Sequence, residues 1–223
     1  MCGRFSLAAT GEEVAAHYQL PEVPYVVPRY NVAPTQPVAA VRLDQAGARE
    51  LTFFQWGLIP SWAKDPAMGS KMINARAETA AEKPAYRAAF KRRRCLLPAT
   101  GFYEWHQLDG RKQPRYIHPT DDKLMSLAGL WEIWQSPDGG LLETCTILTT
   151  TPNSLMESIH NRMPVVVDPL DDGAWLDPET ATDQLQHLLR PYADDRLAAY
   201  PVSTAVNRPQ NDSEACIAPL VSD

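Results

Sequence analysis

Cysteine at position 2 has the widest chemical reach in this sequence. The chain opens Met1-Cys2-Gly3, and a small second residue permits removal of the initiator methionine, which would leave Cys2 with both a free α-amine and a thiol. An α-amine titrates at about 8 against about 10.4 for lysine, so its neutral, nucleophilic fraction at pH 7 is roughly several hundred times larger. Such an amine condenses with aldehydes. The thiol, two carbons away, can then add to the imine and close a five-membered ring with the advantage of an intramolecular reaction. An N-terminal cysteine is therefore an aldehyde trap, although position alone is equally compatible with a small residue near a chain start.

Three other stretches gather polar side chains closely enough to form a site. Ile73–Thr79 (Ile-Asn-Ala-Arg-Ala-Glu-Thr) brings together the Asn74 carboxamide, the Arg76 guanidinium and a carboxylate, a pattern that also suits a polar loop with a helix cap. Gly101–Trp105 sets one acid, Glu104, inside an aromatic run. A carboxylate there is expensive to bury unless it is paired or used, so a structural salt bridge competes with a chemical role. Ser158–Pro164 presents His160 and Arg162 where a helix signal gives way to a strand signal, and loop residues at such junctions face clefts. A lone histidine more often packs than reacts, but a nucleophile, an acid and a histidine that titrates near neutrality can together form a site.

These residues need elements to hold them. Thr10-Gly-Glu-Glu13 matches a capping box and predicts a first helix over 11–19, with Val14 and Tyr18 on one face. The prolines at 21, 24, 28, 34 and 37 then exclude regular helix. Val38–Leu43 and Leu51–Trp56, joined by Asp44–Ala48, read as a hairpin. Pro84 is placed to open a second helix that buries Tyr86 and Phe90 and turns Arg87, Arg92, Arg93 and Arg94 elsewhere. Strand signals follow at 95–105, 115–118, 124–134 and 144–149, with turns at Asp109-Gly110 and Pro137–Gly140. A short helix near 153–159, a strand at 164–167 and a helix near 182–189 complete the pattern. The expected fold class is α+β: a twisted, mainly antiparallel β-sheet, with closure into a barrel left open, and flanking helices.

The length of 223 residues suits a single domain spanning 1–223, and 44% hydrophobic with 22% charged residues supplies a real core. No apolar run approaches the roughly 20 residues of a spanning helix, and Arg4, Glu12 and Glu13 interrupt any secretory hydrophobic segment, so no membrane partner and a cytoplasmic location are expected. The four cysteines form no Cys-x-x-Cys pair and the five histidines no His-x-x-x-His pair, so neither a metal nor a disulfide framework is expected. A net charge of −6 argues against coating nucleic acid through a long-range field. A local basic groove remains workable because charges beyond about 8 Å are largely screened at physiological salt.

Seven stretches occur in one order: Met1–Phe5 (Met-Cys-Gly-Arg-Phe), Tyr30–Pro34 (Tyr-Asn-Val-Ala-Pro), Trp56–Pro60 (Trp-Gly-Leu-Ile-Pro), Ile73–Thr79, Arg94–Pro98 (Arg-Cys-Leu-Leu-Pro), Gly101–Trp105 and His160–Pro164. With them the sequence resembles the SRAP (SOS response-associated peptidase) family from Cys2 to about Leu220. The resemblance implies a sensor and shield of abasic sites in single-stranded DNA, working without a cofactor. In that family pattern Cys2 is the crosslinking residue, forming a Schiff base and then a thiazolidine with the ring-opened sugar, and Asn74 positions the adduct. Glu104 moves protons, and His160 assists sugar ring opening and reversal of the link. Arg4, Arg76 and Arg162 hold phosphates, Pro34 and Trp62 pack on neighbouring nucleotides, and Thr149 contacts the backbone near the lesion. The resemblance also brings lyase-like and autopeptidase activities into view and leaves replication-fork proteins open as partners. A monomer is expected, because one strand groove needs no symmetry mate.

Two departures stand out. The stretch between Trp62 and Asn74 varies in length in the family, and Gln210 stands where a basic residue is expected, with Arg208 as the substitute contact. Three other functions compete. An N-terminal-nucleophile amidohydrolase also begins Met-Cys-Gly but typically uses an Asn-Gly pair, which this chain lacks. A thiol peptidase would join Cys2, Glu104 and His160, with the Met1-Cys2 bond as one target. A plain single-strand binding module would not need Cys2 at all.

Overall fold

The structure, a computed structural model, describes residues 2–220. Strand β1 (Phe5–Leu7) leads into α1 (Gly11–Tyr18). Here Thr10 accepts from the Glu13 amide and Glu13 returns its carboxylate to the Thr10 amide at 2.7 Å, the expected capping box. Val14 and Tyr18 form its buried face. The proline-rich stretch carries no regular element before β2 (Arg29–Val32). Strands β3 (Pro37–Leu43) and β4 (Arg49–Trp56) make the expected hairpin, closed by Asp44 Oδ1 accepting from the Ala46 and Ala48 amides.

Next come β5 (Asn74–Arg76), α2 (Ala77–Ala80) and α3 (Arg87–Arg92). Pro84 does not open a helix: it lies in the turns between α2 and α3, and Tyr86 sits just before the first helical turn. Arg94 is also not a surface residue. It is buried, and its guanidinium donates to the carbonyls of Phe90, Lys91, Trp175 and Asp177, tying the end of α3 to a later helix.

The expected strand over 95–105 is two strands, β6 (Arg94–Ala99) and β7 (Gly101–Leu108), which join different sheets. The packing just after the break needs a glycine, since a Cβ at Gly101 would lie 2.3 Å from the Tyr116 ring. The chain continues through β8 (Arg111–Pro119), β9 (Met125–Gln135), β10 (Leu141–Thr150), α4 (Ser154–Glu157), β11 (Met163–Pro164), β12 (Val166–Val167), α5 (Asp172–Leu176), α6 (Thr182–Leu188) and β13 (Leu197–Pro201).

Strands β10, β4, β3, β6 and β9 follow one another around a ring that β9 closes by pairing again with β10. Of these pairings, β4 with β10 is parallel and the others are antiparallel. The fold is therefore α+β with a closed five-stranded barrel. Beyond the parallel pair, β5 takes over the same edge of β10, with Asn74 opposite Ile147 and Arg76 opposite Thr149. Where β9 and β10 diverge, β11 and β12 fill the gap: Val165 accepts from the Ala128 amide and donates to the Leu148 carbonyl. A second sheet, ordered β13-β8-β7-β1-β2, packs against the barrel.

Alternate barrel residues divide between two cores. Val41, Leu96, Leu130 and Leu148 meet Phe90 of α3 and Trp175 of α5, so that face points outward, because helices cannot enter so narrow a ring. Val38, Phe54, Trp56, Cys95, Leu97, Leu127, Cys145 and Ile147 therefore fill the interior, joined by Phe5, Phe102 and Ile117 of the second sheet. Cys2 lies in this second core. No helix among the described residues is long and apolar enough to cross a membrane.

Candidate active site

Cys2 precedes β1, whose pairing with β7 is extended by the Tyr103 amide donating to the Arg4 carbonyl at 3.0 Å. That pairing lays the first residues of the chain along the 102–104 stretch of β7. The Cys2 side chain is 0% exposed. Burial pushes its thiol up to about 12, the neighbouring Glu104 carboxylate adds to the rise, and a contact with the Arg4 carbonyl at 4.0 Å partly offsets it. The thiol thus keeps its proton at neutral pH.

Two of the residues singled out from sequence act on Cys2, one by a hydrogen bond and one by its charge. Asn74 donates its side-chain amide to the Cys2 carbonyl at 2.8 Å, across a sequence separation of 72 residues. Glu104, only 3% exposed on β7, acts on the thiol through its charge. Strand alternation places Glu104 and Phe102 on the same face of β7, toward the second core, while Trp105 turns outward.

Thr149, Arg76 and Arg162 form an adjoining group. Asn74 and Arg76 are two residues apart on β5 and share a face, and Arg76 lies opposite Thr149. Arg162 makes a two-pronged ion pair with Glu78, at 2.5 and 2.9 Å, and its Nη2 also donates to the Thr149 carbonyl. Thr149 is buried, with its hydroxyl 3.4 Å from the Ala75 carbonyl, so its side chain is spent inside the protein. The Arg162 amide donates to His160 Nδ1 at 3.0 Å. An Nδ1 that accepts leaves the proton of a neutral imidazole on Nε2. Ile159 and Met163, on either side of this loop, belong to the same core as Cys2.

The remaining predicted contacts are more varied. Arg4 Nη1 donates to Asn31 Oδ1 at 2.7 Å and to the Val206 carbonyl at 2.6 Å, and its guanidinium stacks on Trp105. Arg4 therefore does a structural job whatever else it binds. Pro34 is half-buried in the turn between β2 and β3, whereas Trp62 stands 58% exposed on the loop after β4. Arg208 and Gln210 are both exposed near the C-terminus. Glu78 and Asn31 were not foreseen as site residues. Glu78 had one advance sign, as the carboxylate of the 73–79 stretch, whereas Asn31 had only its place in the 30–34 stretch. Among the described residues no group of three or more His, Cys, Asp or Glu side chains is arranged to hold a metal ion.

The family model described as SOS response associated peptidase (SRAP) matches residues 1–209. The chain belongs to the SRAP family. Among curated SRAP relatives, the abasic site processing protein YoqW of Bacillus subtilis is 47% identical, covering 97% of this chain and 99% of that protein. The abasic site processing protein HMCES of Gallus gallus is 36% identical over 86% of this chain, which spans 66% of its length. Among solved structures, a protein from Bacteroides thetaiotaomicron superposes with a TM-score of 0.89 at 28% identity, covering 99% of this chain and all of that one. A Bordetella bronchiseptica protein superposes with a TM-score of 0.80 at 26% identity over 91% of this chain.

Proposed function

We propose that this SRAP protein processes abasic sites in single-stranded DNA by trapping the sugar aldehyde covalently on Cys2. The observation that carries the reading is the convergence on Cys2 of Asn74, which grips its carbonyl at 2.8 Å, and of Glu104, a buried carboxylate close enough to act on its thiol. Relatives named abasic site processing proteins match nearly the whole chain.

The chemistry follows from the order of the two nucleophiles. Until Met1 is removed the Cys2 nitrogen is an amide. Once released, the amine attacks the aldehyde of the ring-opened deoxyribose and water leaves to give an imine. The thiol then adds to the imine carbon while its proton ends on the ring nitrogen, which closes the thiazolidine with one water lost overall. The amine acts first because the thiol can close the five-membered ring only onto the imine carbon that the amine has made. Glu104 passes the proton as sulfur adds. Ring closure also removes the imine from which β-elimination would break the strand, so lyase activity is the leak of this reaction. Arg4, Arg76 and Arg162 with Pro34 and Trp62 hold the strand in this reading, the buried Thr149 acts only through its carbonyl, which accepts from Arg162, and His160 assists sugar ring opening.

The test mixes protein shown by mass spectrometry to lack Met1 with an oligonucleotide carrying one abasic site. A band that survives boiling in denaturant, absent with Cys2→Ala and with intact-base DNA, is the expected result. No band despite a free Cys2 amine rejects the reading.

A further inference from the structure

We infer that Glu78 is a placeholder for a backbone phosphate at Arg162, so that a DNA strand docks there by exchanging one anion for another. The inference rests on the reading of Arg162 as a strand contact given above. A carboxylate and a phosphate both offer two oxygens to the guanidinium fork, and such two-pronged pairs are short and directional. Glu78 occupies that fork at 2.5 and 2.9 Å.

Access decides which way the pair can open. The Arg162 side chain is only 16% exposed, and its Nη2 is also engaged by the Thr149 carbonyl. Glu78 is 46% exposed on α2, a helix of four residues, so it is the partner able to swing into solvent. Its carboxyl is held below the usual carboxylate range, chiefly by the hydrogen bond from Arg162, with Arg76 adding through its charge. The Glu78 carboxylate thus lies in the field of two of the three guanidinium groups expected to hold the strand, those of Arg162 and Arg76. A phosphate arriving at Arg162 must displace it, and the freed carboxylate then repels the strand. Glu78 therefore weakens binding to undamaged single strands.

The experiment measures binding of a labelled intact-base oligonucleotide to wild type, Glu78→Gln, Glu78→Ala, Arg162→Ala and the Glu78→Gln/Arg162→Ala double variant, each checked for an unchanged melting temperature. Both Glu78 variants are expected to bind roughly three- to tenfold more tightly, as befits removal of one half-exposed competing ion pair. Because wild type docks the same phosphate after the exchange, the slope of log affinity against log salt should differ from wild type by less than about 0.7, the increment for one whole phosphate on a single strand. In the Arg162→Ala background the gain should shrink below about twofold, because the exchange has no site left. Unchanged or weaker binding by the Glu78 variants, or the same gain without Arg162, overturns the placeholder role while leaving the function intact. If neither wild type nor the Glu78 variants bind the strand, the DNA-binding reading fails and this inference with it.

Discussion

Asn74 holds Cys2 by the backbone carbonyl, not by the thiol, so it acts on where the amine and the thiol point. Removing it should slow the chemistry while sparing the fold, because Asn74 is half-buried at the start of a short strand. Asn74→Ala loses one hydrogen bond, worth about 1 kcal/mol, and the positioning it gave. The crosslinking rate to an abasic oligonucleotide should fall by roughly tenfold or more, with the urea midpoint nearly unchanged. A normal rate would show that the carbonyl contact positions nothing that matters. Glu104 differs in kind: its carboxylate is buried near the thiol and touches the chemistry through charge. The family resemblance tied Asn74 to the Cys2 adduct, but the residue pattern alone offered no sign that a position 72 residues away would grip the Cys2 carbonyl. Only the parallel pairing of β5 on β10 brings Asn74 there.

At the scale of elements, helix α5 is pinned to the barrel by a buried polar cluster. Ser126 of β9 lies 3.1 Å from the Tyr18 hydroxyl of α1 and 3.3 Å from Asp172 at the start of α5. Burial raises the Asp172 carboxyl from 3.8 to about 7, opposed by the Ser126 hydrogen bond and by Arg49. The folded protein therefore binds this proton more tightly than the unfolded chain, and stability falls as pH rises from about 4 through about 7. Asp172→Asn removes that loss. Its stability relative to wild type should improve by on the order of 1–2 kcal/mol between pH 5 and pH 8, read from urea unfolding at both values. Equal differences at the two pH values would show that Asp172 ionises freely in the fold. Elements with a local signal were legible in advance: the Thr10–Glu13 capping box and the β3–β4 hairpin lie where the residue types put them. Strands β1 and β5, three residues each, are too short to show a period of two. The β6–β7 break was hidden because branched and aromatic residues run through it, and the close approach of the Tyr116 ring to Gly101 beside it is a tertiary contact.

Across the whole molecule, the ends of the chain are bolted together beside the reactive residue. Asn31 is fully buried; its Oδ1 accepts from Arg4 at 2.7 Å, and its Nδ2 is shared among the carbonyls of Val206, Arg208 and Asn211 at 3.1, 3.1 and 2.6 Å. Asp212 accepts from the backbone amides of Tyr30 and Asn31 and pairs with Arg29. Trp105 donates to Asn207 at 2.7 Å, closing the strap over β7. Through these bonds a segment some two hundred residues distant in sequence sets the conformation of Arg4, two residues after Cys2. Asn31→Ala would leave Arg4 with the Val206 carbonyl and the Trp105 ring and strip the carbonyls of Arg208 and Asn211 of this partner. The loss should be roughly 2–4 kcal/mol, a fall in Tm of roughly 4–16 °C for a chain of this size. Crosslinking, assayed well below the new Tm, should slow as well, because freeing Arg4 loosens the path of the chain into β1. Lost stability with an undiminished crosslinking rate would mean that the strap holds the fold together but does not set the position of Cys2.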